Sequence, residues 1–202
     1  MSQDPERPFS LGHASFTPHG DAGDQLLKER IIILGELDAG AAQLAVAQLL
    51  LLERDDPAAP VTVYVNTATA PIDPAVSLHD AIQMVSCPVA TVCTGVAAEA
   101  AVLVIAAGAR GHRVALPHAR FVLRMPRALD LGGDVAALAE EVARSRRTLV
   151  ELLAGVSDNP PEAVRSDLER GRFLTARQAV EYGVIDEVLE QPPKAWRAVL
   201  TR

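Results

Sequence analysis

The hydrophobic and polar positions of this chain change period several times, and each change predicts an element. Residues 1–22 are broken by Pro5, Pro8, Pro18, Gly12 and Gly20, a pattern that predicts an arm rather than a packed element. "DAGDQLLKER" then predicts a short helix, and "IIILGEL", a continuous apolar run, a buried strand. "DAGAAQLAVAQLLLLERDD" predicts a helix. Leu44, Leu49, Leu51 and Leu52 spread around much of its girth, which predicts burial between layers. "VTVYVN" (Val61–Asn66) is a second strand, and "DPAVSLHDAIQMV" a helix with Pro74 in its first turn. "VATVCTG" (Val89–Gly95) reads as a third strand closed by a glycine turn. "AAEAAVLVIAAG" follows as a third helix, with Glu99 inside its apolar run. Three strand–helix alternations at a pitch of roughly thirty residues predict βα units, a parallel sheet and an α/β fold.

The rhythm then changes. "HRVALP" and "ARFVLRMP" are short strand-like runs separated by Pro117. "GGDVAALAEEVARSRRTLVELLAG" predicts a long amphipathic helix, with Val135, Leu138, Val142, Leu149, Leu152 and Leu153 mostly at helical spacing. "PPEAVRSDLERG" predicts a shorter helix opened by prolines. In "TARQAVEYGVIDEVLE", Thr175 is the expected N-cap, Gly183 the stop and "VIDEVL" a last strand. Residues 191–202 form a tail in which Trp196 is an expected packing anchor.

Composition narrows the function without naming it. The chain has 202 residues, 49% of them hydrophobic, and 26 acidic against 19 basic side chains for a net charge of −7. That balance suits one folded domain and argues against a nucleic-acid binder, which would carry a basic face. Aromatic residues at 3% leave little for base stacking. No stretch has the length and freedom from charge of a membrane span, and the first residues carry no secretory pattern, so a cytoplasmic location is expected. Cys87 and Cys93 stand six positions apart across one strand, a spacing that predicts reduced thiols.

The chemistry-bearing residues form no recognisable set by themselves. Ligands collect at the carboxyl ends of parallel strands, here after "VYVN", "TVCTG" and "FVLR". The segment after "TVCTG" offers Val96, Ala97, Ala98 and Glu99, with no serine or cysteine; Thr94 is expected to bond backbone. The loop "TATAPIDP" has no glycine, so its amides are not expected to turn inward as an anion hole. The end of "FVLR" supplies Arg124, a permanent cation. His13, His19, His79, His112 and His118 lack metal-ligand spacing and are expected on surfaces or loops; no metal and no cofactor is expected.

Several separate motifs together resemble the ClpP family, the proteolytic subunits of ATP-dependent Clp proteases. They are "LLKERIIILGELD", "AVAQLLLLERDDP", "VYVN", "TVCTGVAAEAAVLVIAAGARGHRVALPHAR" and "RGRFLTARQAVEYGVIDEVL", in the family's order from about Leu26 to Leu189. The resemblance implies a ClpP/crotonase-like α/β fold of repeated ββα-type units with a protruding handle helix. It implies an axial-loop arm at 1–22, a domain at 23–190 with the handle at about 125–155, and a tail at 191–202. It also implies a serine peptidase, and here the sequence departs from the pattern. Glu99 stands where the family has its serine (G-x-A-A-S-M-G), Arg124 where it has histidine (I-H-Q-P), and Gly171 where it has aspartate (E-R-D-x-F). The family's oxyanion loop S-P-G-G-S-V is here "TATAPI", with Thr69 and Ala70 for the two glycines; Ala100 would carry the second oxyanion amide.

The resemblance thus implies a subunit without the Ser-His-Asp triad, structural or regulatory in a Clp barrel. Its expected partners are copies of itself in a seven-membered ring or double ring, or active ClpP subunits in a mixed assembly, and a Clp ATPase. Tyr64 and Met84 stand at apolar positions of the family's ATPase-docking cleft, and Thr62 where the family has an aromatic residue. Serine and histidine lie within hydrogen-bond reach in such triads, so Glu99 and Arg124 are expected to form an ion pair. Two other readings stand beside this one: an acyl-CoA enzyme of crotonase type with Glu99 as general base, and a residual peptidase using Thr67, Thr69 or Thr94.

Overall fold

A computed structural model describes residues 21–126 and 135–190. The expected arm, apart from its last residues, and the tail with Trp196 lie outside the described residues, as do His13 and His19. The chain runs from α1 (Asp21–Lys28) into β1 (Ile31–Leu34), α2 (Ala39–Asp55), β2 (Val61–Thr67), α3 (Ile72–Met84), β3 (Val89–Ala98) and α4 (Ala101–Ala106). It continues through β4 (Arg113–Ala115), β5 (Arg120–Leu123), α5 (Val135–Ser157), α6 (Pro161–Arg170), β6 (Arg172–Thr175), α7 (Ala176–Tyr182) and β7 (Glu187–Val188). This is a mixed α/β architecture. Strands β1, β2, β3, β4 and β7 lie side by side in that order, all parallel, as the repeated strand–helix pattern requires.

The strand β3 organises the rest. Its first half pairs with β4 from Thr91 to Cys93. Its second half takes β5 as a parallel neighbour from Val96 to Ala98, and β6 joins β5 antiparallel. The β2–β3 register shifts between Val65 and Thr67 at the same level. So Gly95 is not the turn that its residue type suggests: the strand passes through it. It has no side chain because a Cβ there would meet Asn66 Oδ1 at 2.5 Å. That oxygen instead accepts from the Val96 amide at 2.9 Å and ties β2 to β3 where their register slips. The turn comes four residues later, at Glu99, with φ +58°.

Helix α2 begins at Asp38, whose side chain accepts from the Ala41 amide at 2.7 Å. It buries Ala42, Ala45, Leu49 and Leu52, one face at helical spacing. Leu44, Leu50 and Leu51 are instead 44–55% exposed. Burial of the helix between layers is therefore not found: a leucine-rich sequence does not distinguish a covered face from an open one. Helix α4 is six residues long and buried on every side. His79 corrects the expectation that every histidine lies on a surface or loop. It is 6% exposed on the buried face of α3, with Nδ1 2.9 Å from Asp80 Oδ1.

In α5 Leu149, Val150, Leu153 and Ala154 are buried, the described residues before them are exposed or partly so, and the Ser145 hydroxyl donates to Asp73 Oδ1 of α3 at 3.2 Å. Strand β6 has no alternating pattern strong enough to announce it and exists through its pairing with β5. The strand expected over "VIDEVL" shrinks to Glu187–Val188, because Asp186 turns back to bind Arg113. The Asp186 carboxylate accepts from the Gly111 and Arg113 amides and from the Arg113 guanidinium. Thr175 is the N-cap as expected and forms a capping box with Gln178, and Gly183 ends α7 in the left-handed region.

Candidate functional site

Three segments converge at the end of β3. The first is the elbow between β3 and α4. Glu99 prolongs the β3–β5 ladder by donating its amide to Val122 O at 2.9 Å, then turns left-handed. Its carbonyl accepts from the Val102 amide at 3.4 Å, opening α4. A non-glycine residue at this φ is strained by about 1 kcal/mol, and it holds because strand and helix fix both its neighbours. The expectation that Glu99 lies within a helix is therefore corrected: it lies at the elbow before it, where a side chain is thrust toward the strand ends.

The second segment is the end of β5. Arg124 donates to Glu99 Oε1 from Nη2 at 2.8 Å and from Nε at 3.2 Å. The expected ion pair is present, with the Glu99 side chain 9% exposed and that of Arg124 52%. The third segment is the loop between β2 and α3. Here the sequence misled. Without glycine the loop amides were not expected to turn inward, yet the Ala70 amide donates to Glu99 Oε2 at 3.1 Å. The loop needs no positive φ for this, since Ala70 is not among the left-handed residues. Instead Ala70 is fully buried, and Pro71 starts α3 directly behind it. Thr69, beside it, is exposed.

Gly171 caps α6 at φ +73° and follows the pattern of a helix stop. Leu123 is paired with Arg172, so Gly171 stands one step further along, beside Arg124. A Cβ there would meet nothing within 4 Å. Ala100 is the buried N-cap residue of α4, next to Glu99. The fold therefore brings Glu99, Arg124 and Ala70 into contact, with Ala100 next to Glu99 in the chain and Gly171 one register step from the β5–β6 pairing.

Two of the three threonines considered as nucleophiles have their hydroxyls on backbone carbonyls, while Thr69 is exposed. Thr67 Oγ1 donates to Leu34 O and Thr94 Oγ1 to Val65 O, each at 3.4 Å. Of the residues expected at a docking cleft, Met84 ends α3 with 82% exposure, and Tyr64 is half-buried on β2, its hydroxyl pKa raised by that burial. Thr62 departs from the expected surface position: it is 2% exposed and presents nothing to a partner from this chain. Cys87 and Cys93 are both free and buried, and burial pushes the Cys93 thiol up to about 12.

Two neighbours escaped the sequence reading. Asn66 sets the end of β2 through Val96, and only its place after "VYV" hinted at it. Asp167, 8% exposed one turn before Gly171, receives Arg172 Nη1 at 3.0 Å, while the Arg172 guanidinium lies 5.4 Å from the centre of the Tyr182 ring. Among the described residues no group of three His, Cys, Asp or Glu side chains could hold a metal ion. No described helix is long and apolar enough to cross a membrane.

Chemically the centre is a carboxylate held by two kinds of donor. One oxygen lies against a permanent cation and the other against a buried amide. Oε1 accepts twice from Arg124 and Oε2 once from the Ala70 amide, so that amide is spent on the protein's own carboxylate.

Comparison with known proteins gives the fold a lineage. The family model described as Clp protease matches residues 18–192. The ATP-dependent Clp protease proteolytic subunit 2 of Rhodococcus jostii (strain RHA1) is 38% identical over 176 residues, covering 85% of this chain and 90% of that protein.

Proposed function

The chain belongs to the Clp protease family, and from that premise we propose that it is a subunit whose peptidase centre has been filled rather than kept. The observation that carries this reading is the position of the Glu99 carboxylate. It occupies the Ala70 amide and the Arg124 guanidinium at once. Acyl transfer needs a nucleophile beside a base, and donors left open for the oxyanion. At the positions that resemble the family's triad, this chain has a carboxylate, a guanidinium and no side chain at all.

The same geometry weighs against an acyl-CoA enzyme with Glu99 as base, because the Ala70 amide that would have to receive the thioester oxyanion already donates to Glu99 Oε2. It weighs equally against Thr67 and Thr94 as nucleophiles, whose hydroxyls are turned to backbone carbonyls. The role proposed is therefore structural or regulatory, in a cytoplasmic Clp barrel made of copies of this chain or shared with active ClpP subunits. Tyr64 and Met84 are the positions offered to a Clp ATPase, with Thr62 withdrawn into the body.

The test uses the full chain with a fluorophosphonate and a β-lactone probe, and with fluorogenic peptides. No adduct and no turnover are expected; a covalent adduct on this chain overturns the reading. Mass photometry of the chain alone, then mixed with an active ClpP subunit, reads the assembly. Rings in either sample support the proposed role, and a monomer in both refutes it.

A further inference from the structure

The donors around Glu99 have the composition of an anion receptor. Arg124 and the Ala70 amide come from separate segments and close on the two oxygens of a single carboxylate. Among the described residues, both hydrogen bonds of the Arg124 side chain go to one of those oxygens. Ala70 and the chain neighbours of Glu99, Ala98 and Ala100, are small and buried, whereas the Arg124 side chain is 52% exposed and reachable from solvent. The carboxylate reaches this position from a residue held at φ +58°, a conformation that an L side chain resists.

We propose that Arg124 and the Ala70 amide form a carboxylate-binding site and that Glu99 is its tethered occupant. Cutting the tether turns the site into a receptor for a free carboxylate, borne by a small acid or by the carboxyl terminus of a peptide. The proposal rests on the reading that Glu99 fills this centre rather than working in it. A tethered carboxylate has an effective concentration that a dissolved one cannot match, so the intact chain is closed to such ligands. A guanidinium fork and a buried amide recognise a carboxylate by charge and by planar geometry together, so a neutral amide of the same shape is a poor substitute.

The test is thermal unfolding of full-length Glu99→Gly. Glycine suits the left-handed elbow and removes the carboxylate without adding bulk. Sodium acetate is titrated against sodium chloride at equal ionic strength, with acetamide as the neutral control. N-acetylalanine and its amide form the peptide-like arm. Ligand at about ten times its dissociation constant should raise Tm by roughly 3–5 °C, with a further rise that follows the logarithm of its concentration. The native chain and the Glu99→Gly/Arg124→Met double variant should not respond. A stronger response to N-acetylalanine than to acetate assigns the site to peptide termini, and the reverse assigns it to small acids. A flat response in Glu99→Gly, or an equal one in the native chain, overturns the proposal.

If Glu99→Gly does not melt cooperatively, the mirror variant Arg124→Ala decides. Millimolar methylguanidinium should raise its Tm and leave the native chain unchanged; no rise overturns the proposal. Failure here with no probe adduct on the native chain refutes the receptor alone. An adduct on the native chain refutes the non-catalytic reading instead.

Discussion

Arg124→Ala and Glu99→Gly remove the same ion pair, and the structure predicts that they do not cost the same. Losing one partner of a fully buried pair costs about 3–5 kcal/mol, while an exposed pair is worth about 0–1 kcal/mol. Here the Glu99 side chain is 9% exposed and that of Arg124 52%. Truncating Arg124 strands a buried carboxylate with one amide for company, for an expected loss of about 2–3 kcal/mol. Removing Glu99 instead leaves a guanidinium half in water. It also relieves about 1 kcal/mol of left-handed strain, which offsets part of the lost pairing and of the Ala70 hydrogen bond. The net cost of Glu99→Gly is therefore about 0–1.5 kcal/mol. In Tm, at roughly 2–4 °C per kcal/mol for a chain of this size, Arg124→Ala should fall by roughly 4–12 °C and Glu99→Gly by much less. The double variant should be more stable than Arg124→Ala alone, because the stranded charge is gone. Urea denaturation at one fixed protomer concentration measures all three. A Glu99→Gly loss larger than that of Arg124→Ala, or a double variant as unstable as the sum of the two, refutes the assignment of Glu99 as the buried, dependent partner.

Three further outcomes follow from the same geometry. Burial raises the Asp186 pKa, but the Arg113 guanidinium and amide and the Gly111 amide outweigh it, so the carboxyl titrates below its ordinary value. That stability is fully present above the unfolded carboxylate value of about 3.9 and is lost as pH falls through the lower folded value, so Asp186→Asn should flatten the acid limb of a stability profile below about pH 4. Gly95→Ala drives a methyl into Asn66 Oδ1 and should cost about 1–3 kcal/mol; a smaller loss in the Gly95→Ala/Asn66→Ala pair than in Gly95→Ala alone checks that this contact is the cause. Cys93, with its thiol pushed up to about 12 by burial, should resist iodoacetamide in the folded chain at pH 8 and react only on unfolding, as mass spectrometry would read.

Periodicity carried most of the fold. The alternation that spaced "IIILGEL", "VTVYVN" and "VATVCTG" between helices is enough to require parallel strands, and those strands are parallel. Caps were equally legible: Thr175 and Gly183 work through the backbone within a few residues, and both stand where the residue types placed them. The pairing of Glu99 with Arg124 was legible only through family motifs, because the two residues lie on different segments and nothing local joins them. Strand β6 was missed for a related reason. "RFLT" has no pattern of its own, and its extended form comes from hydrogen bonds to β5.

The sequence alone thus determined the elements whose physics is local, namely apolar period, capping side chains and the residues that stop a helix. It also determined which chemical groups were available, and with them the absence of a serine at the elbow. Tertiary structure decided where those groups point. It carried β3 through Gly95 to place the turn at Glu99, left Leu44, Leu50 and Leu51 exposed, and buried His79 and Thr62. It also aimed the Ala70 amide at a carboxylate that the glycine-free loop gave no reason to expect. The physical reason is one of range. A helix or strand period is set by neighbours a few residues away, whereas the direction of a donor or the covering of a face depends on segments that meet only when the chain has closed on itself.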